Sequence, residues 1–268
     1  MNKFAVILKV TKTAFALSLI FSPVCSVALA QDPPKPPGEK PSEEDSKIVY
    51  GGESDFTSGS AWRGLVISDR PVVSNAGWIS KYGFTFIAAN TLALSNTSEG
   101  TRPRVTDLIL TYEQDWRKFK IEPTFDTYWY RDPLNIATSR SMEGSIKLSY
   151  PVGPIRLFTS HSFDVLTHKG AYFGEAGVEY ARHLRGKNEL SISLDTGWAS
   201  STFNDAYAGV NKSAFNLVGL ECSLTHHLKS HFYLRPHFEF SGIVDRQVRA
   251  SLSRPNFFTF GLALGVEF

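Results

Sequence analysis

The last nine residues of the chain alternate strictly between apolar side chains and small or charged ones. The apolar positions are Phe260, Leu262, Leu264, Val266 and Phe268. Because successive side chains of a β-strand point to opposite faces, this pattern predicts a terminal strand with one continuous apolar face. An apolar edge strand of this kind is an aggregation hazard in a soluble protein. The chain end therefore indicates a strand whose outer face meets an apolar medium.

The first 30 residues have the three parts of a secretory signal peptide. These are a basic n-region (Lys3, Lys9 and Lys12), a short apolar core (14–21) and a small-residue cleavage pattern (28–30). The apolar core is shorter than the roughly 20 residues that a spanning helix needs. We therefore predict a signal peptide over 1–30, cleavage between Ala30 and Gln31, and export of the mature chain.

Composition narrows the class of the mature protein. Removal of the three signal-peptide lysines lowers Lys+Arg from 28 to 25 against 26 Asp+Glu, a net charge of about −1. This charge argues against nucleic acid as a partner. Aromatic residues make up 13% of the chain although its mean hydropathy is −0.14. An aromatic-rich chain that is not hydrophobic on average is typical of a transmembrane β-barrel, in which half of each strand faces a polar lumen.

Residues 31–47 are rich in proline and charged residues. We expect a disordered or polyproline-like lead-in on the periplasmic side. The alternative is a segment that plugs the lumen or contacts the peptidoglycan. The remaining residues, 48–268, are predicted to form one barrel domain.

Twelve strand candidates follow the lead-in, separated by turn signals. They cover roughly 47–57, 70–79, 81–95, 104–116, 118–130, 140–151, 154–165, 171–183, 188–200, 213–226, 230–242 and 255–268. Short turns are expected near Ser80 and at 116–118, 152–154, 184–187 and 228–229, and longer connections at 58–69, 96–103, 131–139, 166–170, 201–212 and 243–254. This alternation is typical of periplasmic turns and extracellular loops. We therefore predict an all-β fold, a transmembrane antiparallel up-and-down β-barrel of about 12 strands in the bacterial outer membrane.

Aromatic residues distinguish this barrel from a soluble β-sandwich, whose strands also alternate between apolar and polar side chains. In the predicted topology an aromatic girdle lies near the strand ends on the lipid face, at Tyr82, Trp116, Trp129, Tyr150, Tyr180 and Trp198. Two belts of this kind suit the two membrane interfaces. The closing strand from Phe260 to Phe268 resembles the C-terminal signal recognised by the barrel assembly machinery of the outer membrane.

Charged residues lie at the alternate strand positions that are predicted to face the barrel interior. The predicted pore-lining set is Asp107, Glu113, Lys120, Glu122, Asp126, Glu143, Lys147, Arg156, Glu175, Glu179, Asp195, Arg235 and Glu239. A wall richer in carboxylates than in cations favours passage of cations. The alternative is that these charges pair with one another and fill the interior, because a barrel of this size lies between filled and open ones.

Candidate catalytic groups are few. Ser160-His161-Ser162, His168 and His226-His227 are the candidates for a rim lipid hydrolase. Nucleophilic catalysis needs a serine within hydrogen-bond reach of a histidine and a third, orienting group. The sequence lacks the His-x-Ser-Asn-Gly pattern of the outer-membrane phospholipase, and the histidine pair has no further metal ligands at a readable spacing. We expect neither catalysis nor a cofactor or metal.

Several short motifs resemble a bacterial family of porins labelled TorF-like. They are Ser54-Asp55-Phe56, Trp62-Arg63-Gly64-Leu65, Asp69 to Val73, Tyr82-Gly83-Phe84, Asp126 to Tyr130, Phe203 to Tyr207 and the closing strand. The resemblance implies a twelve-stranded outer-membrane barrel and says little about the solute. Arg63 also has a structural interpretation, in which it pairs with a carboxylate of the wall.

The leading hypothesis is a porin-like barrel that passes small hydrophilic solutes by diffusion, with outer-membrane lipid as its surroundings. The alternatives are a closed structural or surface-binding barrel, whose loops 201–212 and 244–254 contact a partner, and the rim hydrolase.

Overall fold

The computed structural model describes residues 47–131, 138–228 and 231–268. The predicted signal peptide, and all but the last residue of the predicted lead-in, lie outside the described residues. The strands are Val49–Thr57 (β1), Ser60–Trp62 (β2), Leu65–Ser68 (β3), Val72–Lys81 (β4), Phe84–Ala93 (β5), Arg104–Tyr112 (β6), Gln114–Trp116 (β7), Phe119–Arg131 (β8), Thr138–Val152 (β9), Ile155–Asp164 (β10), Tyr172–His183 (β11), Asn188–Ala199 (β12), Ala214–His227 (β13), Phe232–Ile243 (β14) and Asn256–Glu267 (β15), and the helices are Ser201–Ala208 (α1) and Arg246–Ser251 (α2).

All strands except β2 and β3 belong to one antiparallel sheet that closes on itself. β6 and β7 both pair with β8 and act as one interrupted strand. β1 pairs with β4 on one side and with β15 on the other, from Gly51↔Glu267 to Thr57↔Gly261. The fold is therefore a closed 12-strand antiparallel β-barrel, as predicted.

The two ends of the barrel differ. One end, the turn end, carries the start of β1, the end of β15 and the short connections after β4, β7, β9, β11 and β13. The opposite loop end carries the longer connections, two of which contain α1 and α2. The turn predicted near Ser80 lies instead at Tyr82-Gly83, because Lys81 still pairs with Phe84. Both turn residues have positive φ, 52° and 79°, as a two-residue hairpin that follows the strand twist requires.

Side-chain polarity is inverted relative to a soluble protein. Large apolar side chains cover the outer surface, among them Phe86, Leu110, Phe125, Leu194 and Phe260. Charged side chains are buried inside: the Glu179 residue is 0% exposed, whereas Phe260 is 64% exposed. A contiguous apolar exterior around a charged interior is the arrangement of a barrel surrounded by lipid.

The interior of the turn end is partly filled by apolar side chains. A buried cluster there contains Ala76, Trp78, Ile87, Ala89, Ile109 and Tyr233. The Tyr233 hydroxyl donates a hydrogen bond of 2.7 Å to Glu53, which also forms a 2.6 Å ion pair with Arg235. This packed layer narrows the lumen beside β1, β4, β5 and β14.

The helices are short elements of the loop end. Ser200 and Asp245 cap the N-termini of α1 and α2, each accepting backbone hydrogen bonds from the first turn. No helix in the described part of the chain is long and apolar enough to cross a membrane.

Candidate functional site

The long connection predicted at 58–69 is present at the loop end, but a hairpin inside it was not predicted. It contains the β2–β3 hairpin, in which Trp62 pairs with Leu65 around the turn Arg63-Gly64. Both turn residues have positive φ, 52° and 80°. A Cβ added to Gly64 would lie 2.6 Å from Cδ1 of Ile243, so the hairpin tip is pressed against the inside of the barrel. The hairpin thus folds inward and narrows the lumen.

Arg63 anchors the hairpin to the wall. Its guanidinium donates hydrogen bonds of 2.9 and 2.6 Å to the two carboxylate oxygens of Glu143 on β9. The guanidinium also lies 4.4 Å from the ring centroid of Trp62 and 4.9 Å from that of Phe173. Both charged side chains are nearly inaccessible to solvent. The geometry combines bidentate pairing with cation–π contacts, for which the planar guanidinium is suited.

Aromatic side chains fix the other face of the hairpin. The Trp62 ring lies 5.0 Å from Tyr207, 5.6 Å from Phe203 and 6.2 Å from Tyr128, measured between centroids. The hydroxyls of Tyr128 on β8 and Tyr207 on α1 are 2.8 Å apart and share a hydrogen bond. Leu65 packs into a cluster with Phe173, Phe203 and Leu217. The hairpin, the wall and α1 therefore form one packed unit.

A cavity of about 580 Å³ lies between the hairpin and the wall formed by β6, β8, β9, β10 and β11. Residues of the loop end line it, including Glu99 and His168, so the cavity extends to that end of the barrel. Its charged lining consists of Arg63, Glu99, Asp107, Glu122, Asp126, Arg140, Glu143, Lys147 and Glu175. Carboxylates outnumber cations two to one, which gives the cavity a negative formal charge.

Two of the three cations are already paired. Arg63 binds Glu143, and Lys147 forms a 2.8 Å ion pair with the buried Glu179. Five lining carboxylates form no salt bridge in the described part of the chain, namely Glu99, Asp107, Glu122, Asp126 and Glu175. The negative charge of the cavity is thus not cancelled by its own lining.

The predicted pore-lining residues fall into two groups. Those that line the cavity are Asp107, Glu122, Asp126, Glu143, Lys147 and Glu175. The others lie elsewhere, and four of them are held in ion pairs: Glu113 with Lys120 at 2.5 Å, Glu179 with Lys147, and Arg235 with Glu53. Asp195 and Glu239 border a second and much smaller void. Arg156 is buried. Six of the thirteen predicted residues therefore line the cavity, and four of the other seven are held in ion pairs.

Sequence reasoning missed Trp62, Tyr128 and Tyr207 as part of the site. The available signal was the Gly-containing pair Arg63-Gly64 between two short apolar runs, which is a hairpin pattern. The expectation that Arg63 pairs with a wall carboxylate is met by Glu143.

Ser160, Ser162 and His168 line the same cavity, but no hydrogen bond between described residues joins either serine to a histidine. Ser160 and Ser162 line the cavity, whereas His161 between them lies on the opposite face of β10. His161 Nδ1 lies 2.8 Å from the Tyr172 hydroxyl, and Trp198 donates a hydrogen bond to the same hydroxyl. His168 contacts the Tyr207 ring, and His226 is hydrogen-bonded to Asn188. Among the described residues no group of three or more His, Cys, Asp or Glu is placed to hold a metal ion.

The predicted girdle residues lie at the two ends of the barrel. Tyr82, Trp116, Tyr150 and Tyr180 lie toward the turn end, and Trp129 and Trp198 toward the loop end. The ring of Phe119 contacts both Trp116 and Tyr150, with centroids 6.3 and 5.0 Å away. On the closing strand Phe260, Leu262, Leu264 and Phe268 are exposed on the outer surface, and Val266 is half-buried.

No protein-family model and no curated protein sequence matches this chain. Among solved structures it is similar to the NanC porin, with 13% identity, a TM-score of 0.48, and coverage of 82% of this chain and 98% of that one. It is also similar to the KdgM porin in complex with disordered oligogalacturonate, with 12% identity, a TM-score of 0.44 and the same coverage. An outer membrane channel from Pseudomonas putida F1 has 11% identity and a TM-score of 0.43, covering 86% of this chain and 100% of its own.

Proposed function

We propose that this protein is an outer-membrane, porin-like barrel that allows passive diffusion of small hydrophilic solutes, with a mild preference for cations. The observation that carries the proposal is the cavity of about 580 Å³ inside the barrel, whose lining carboxylates exceed its cations. A lumen lined by one excess charge raises the local concentration of the opposite charge. The apolar exterior supports a lipid environment.

Biogenesis follows from the same proposal. The signal peptide over 1–30 would export the chain, and the closing strand would be recognised by the barrel assembly machinery. Membership of the TorF-like family of porins is part of this proposal, on the motifs quoted above.

A closed barrel that binds a partner or ligand through its loop end is the second candidate. The observation in its favour is the packed layer around Trp78, Ile87 and Tyr233, which fills part of the turn end. The hairpin adds a second restriction at the loop end. Transport and closure thus make opposite predictions about ion current.

Conductance of the purified mature protein, Gln31 to Phe268, in a planar bilayer under a salt gradient tests the proposal. Discrete steps with a cation-selective reversal potential would support it. Folded, inserted protein that carries no current would favour the closed barrel, and a reversal potential near zero would remove the cation preference.

A variant without the hairpin shows whether the hairpin or the packed layer at the turn end limits the conductance. Replacing 60–68 by a Gly-Ser linker is expected to increase conductance, since it removes the side chains that border one side of the cavity. Replacing 246–251, which do not line the cavity, is the matched control. No increase in the hairpin variant would place the limiting constriction at the turn end.

A further inference from the structure

Three buried carboxylate oxygens in the cavity accept no hydrogen bond from any residue that the structure describes. They are Oε2 of Glu122, Oδ1 of Asp126 and Oε1 of Glu175. Glu122 and Glu175 are each only 3% exposed, and all three residues line the same cavity. Buried polar atoms in folded proteins are almost always hydrogen-bonded, and an unpaired one is costly. Three acceptors that the described residues leave unpaired therefore border one space, which a donor from solvent can enter.

The protein's own cations do not supply this donor. The guanidinium of Arg63 is directed at both oxygens of Glu143, and the ammonium of Lys147 at Glu179. Lys147 also lies 4.4 Å from the ring centroid of Phe158. Arg140, the third lining cation, is exposed at the loop end. A donor for these oxygens therefore comes from solvent, as water or as a dissolved cation, and the excess of carboxylates in the lining favours the cation.

The rest of the lining distinguishes an organic cation from a metal ion. Trp62, Tyr128 and Tyr207 form an aromatic face beside the carboxylates, and aromatic faces attract organic ammonium groups. In the described part of the chain the carboxylates are not clustered as metal ligands. A cavity of about 580 Å³ is also far larger than a bound ion requires.

The spacing of the carboxylates favours an elongated cation with two charges. Glu122 and Asp126 lie on the same face of β8, four residues apart, so their Cα atoms are about 13 Å apart at the usual rise per residue and parallel side chains would keep that spacing. A hydrogen bond between an ammonium nitrogen and a carboxylate oxygen takes up about 3 Å at each end of that spacing. The remaining distance suits a chain of roughly six methylenes.

We propose that the lumen contains a binding subsite for linear diammonium compounds, formed by Glu122, Asp126 and Glu175 with the aromatic face of Trp62, Tyr128 and Tyr207. This subsite rests on the proposed function, because it names the solute class that the same cavity selects. Binding to the folded protein and passage through it are separate events, so they are measured separately.

Titration calorimetry of the folded, detergent-solubilised mature protein at low salt tests the subsite. The probes are 1,6-diaminohexane, hexylamine and the neutral 1,6-hexanediol, with magnesium chloride as a competitor. We expect the diamine to bind about tenfold or more tightly than hexylamine, since each charge-assisted hydrogen bond contributes at least this factor. Equal binding of diamine and diol, or displacement of the diamine by equimolar magnesium, would overturn the subsite.

Variants locate the binding. Glu122→Gln and Asp126→Asn should each weaken diamine binding about tenfold and leave hexylamine binding less affected. Asp205→Asn, which removes an exposed carboxylate of α1 outside the cavity lining, is the control for net charge. Glu175→Gln provides a third position in case one variant fails to fold. Unchanged diamine affinity in all folded variants would contradict the assignment.

Bilayer recordings with the same probes separate this inference from the proposed function. Current that is blocked by the diamine and not by the diol supports both. Diamine binding to a protein that carries no current would retain the subsite and remove the diffusion channel. Current without diamine binding or block would retain the channel and remove the subsite.

Discussion

Arg63 and Glu143, 80 residues apart in the sequence, are joined by two hydrogen bonds of 2.9 and 2.6 Å inside the barrel. This contact links the tip of an inward-folded hairpin to the middle of the chain. It also neutralises one carboxylate of an otherwise acidic cavity. Hairpin position and cavity charge are therefore controlled by the same pair of side chains.

Arg63→Met tests the contribution of this pair to stability. The change leaves the Glu143 carboxylate buried and unpaired, which typically costs about 3–5 kcal/mol. We expect the free energy of unfolding to fall by that order, measured by urea titration with tryptophan fluorescence. The exposed Arg70, changed to Met, is the control and should have little effect. If Arg63→Met/Glu143→Leu is no more stable than Arg63→Met alone, the unpaired charge is not the cause.

Gly64→Ala tests how tightly the hairpin tip is packed. The left-handed backbone disfavours alanine, and the new Cβ would lie 2.6 Å from Ile243 and 3.1 Å from Leu217. We expect a loss of about 2–5 kcal/mol, the sum of backbone strain and overpacking. Gly100→Ala has a similar φ, +77°, but nothing within 4 Å of its Cβ, so it isolates the strain. Equal losses in the two variants, compared by urea unfolding, would show that the tip is loosely packed.

The pair of Lys212 and Asp245 at the loop end predicts a response to acid. The hydrogen bond from the Lys212 ammonium, and those from the first turn of α2, hold the pKa of Asp245 below its usual value of 3.8. A carboxylate with a depressed pKa stabilises the folded state above its ordinary pKa, and this contribution is lost as the pH falls through the folded-state pKa. We expect α2 to become mobile as the pH falls below 3.8 and through that lowered pKa.

A spin label at Ala250→Cys, in a Cys222→Ser background, measures that mobility against pH. In Asp245→Asn the acid-dependent change should be largely abolished, because the asparagine still caps α2 but does not titrate. A pH profile that is identical with and without the carboxylate would assign the transition to other groups.

Deletion of Phe268 tests the closing strand as an assembly signal. Its backbone exchanges two hydrogen bonds with Tyr50, and its ring stacks on those of Tyr50 and His231 at 5.4 and 4.8 Å. We expect severalfold slower insertion into liposomes that contain the assembly machinery. Refolding into detergent should change much less, and Phe268→Tyr should retain insertion. Equal slowing in both systems would indicate a structural role alone.

Most of the barrel could be predicted because its signal is local. Alternation over about ten residues, bounded by turn residues, placed the twelve strands close to their observed limits, as in β12, predicted at 188–200 and observed at 188–199. The β2–β3 hairpin could not be placed in this way. Its strands have three and four residues, too few to show a period. Its inward position depends on Glu143, Phe173 and Tyr207, which are distant in sequence and adjacent only in the closed barrel.

The cavity could not be predicted from local sequence patterns either. Parity identifies inward side chains but not which of them pair, so Glu179 and Glu175 have the same signature in the sequence. In the structure Lys147 donates a hydrogen bond to Glu179, whereas Glu175 forms no ion pair with any described residue. Both glutamates lie on β11, so the difference depends on Lys147 of β9, whose ammonium reaches Glu179.

Closure of the barrel by β1 and β15 joins the first and last strands of the chain. A ladder between such distant segments is intrinsically slow to form, because local contacts do not bring its halves together. Once formed, it leaves the sheet with no free edge from which strands can peel. The same seam that delays maturation thus becomes the barrier to unfolding, and persistence of the finished barrel is set by an opening rate more than by an equilibrium.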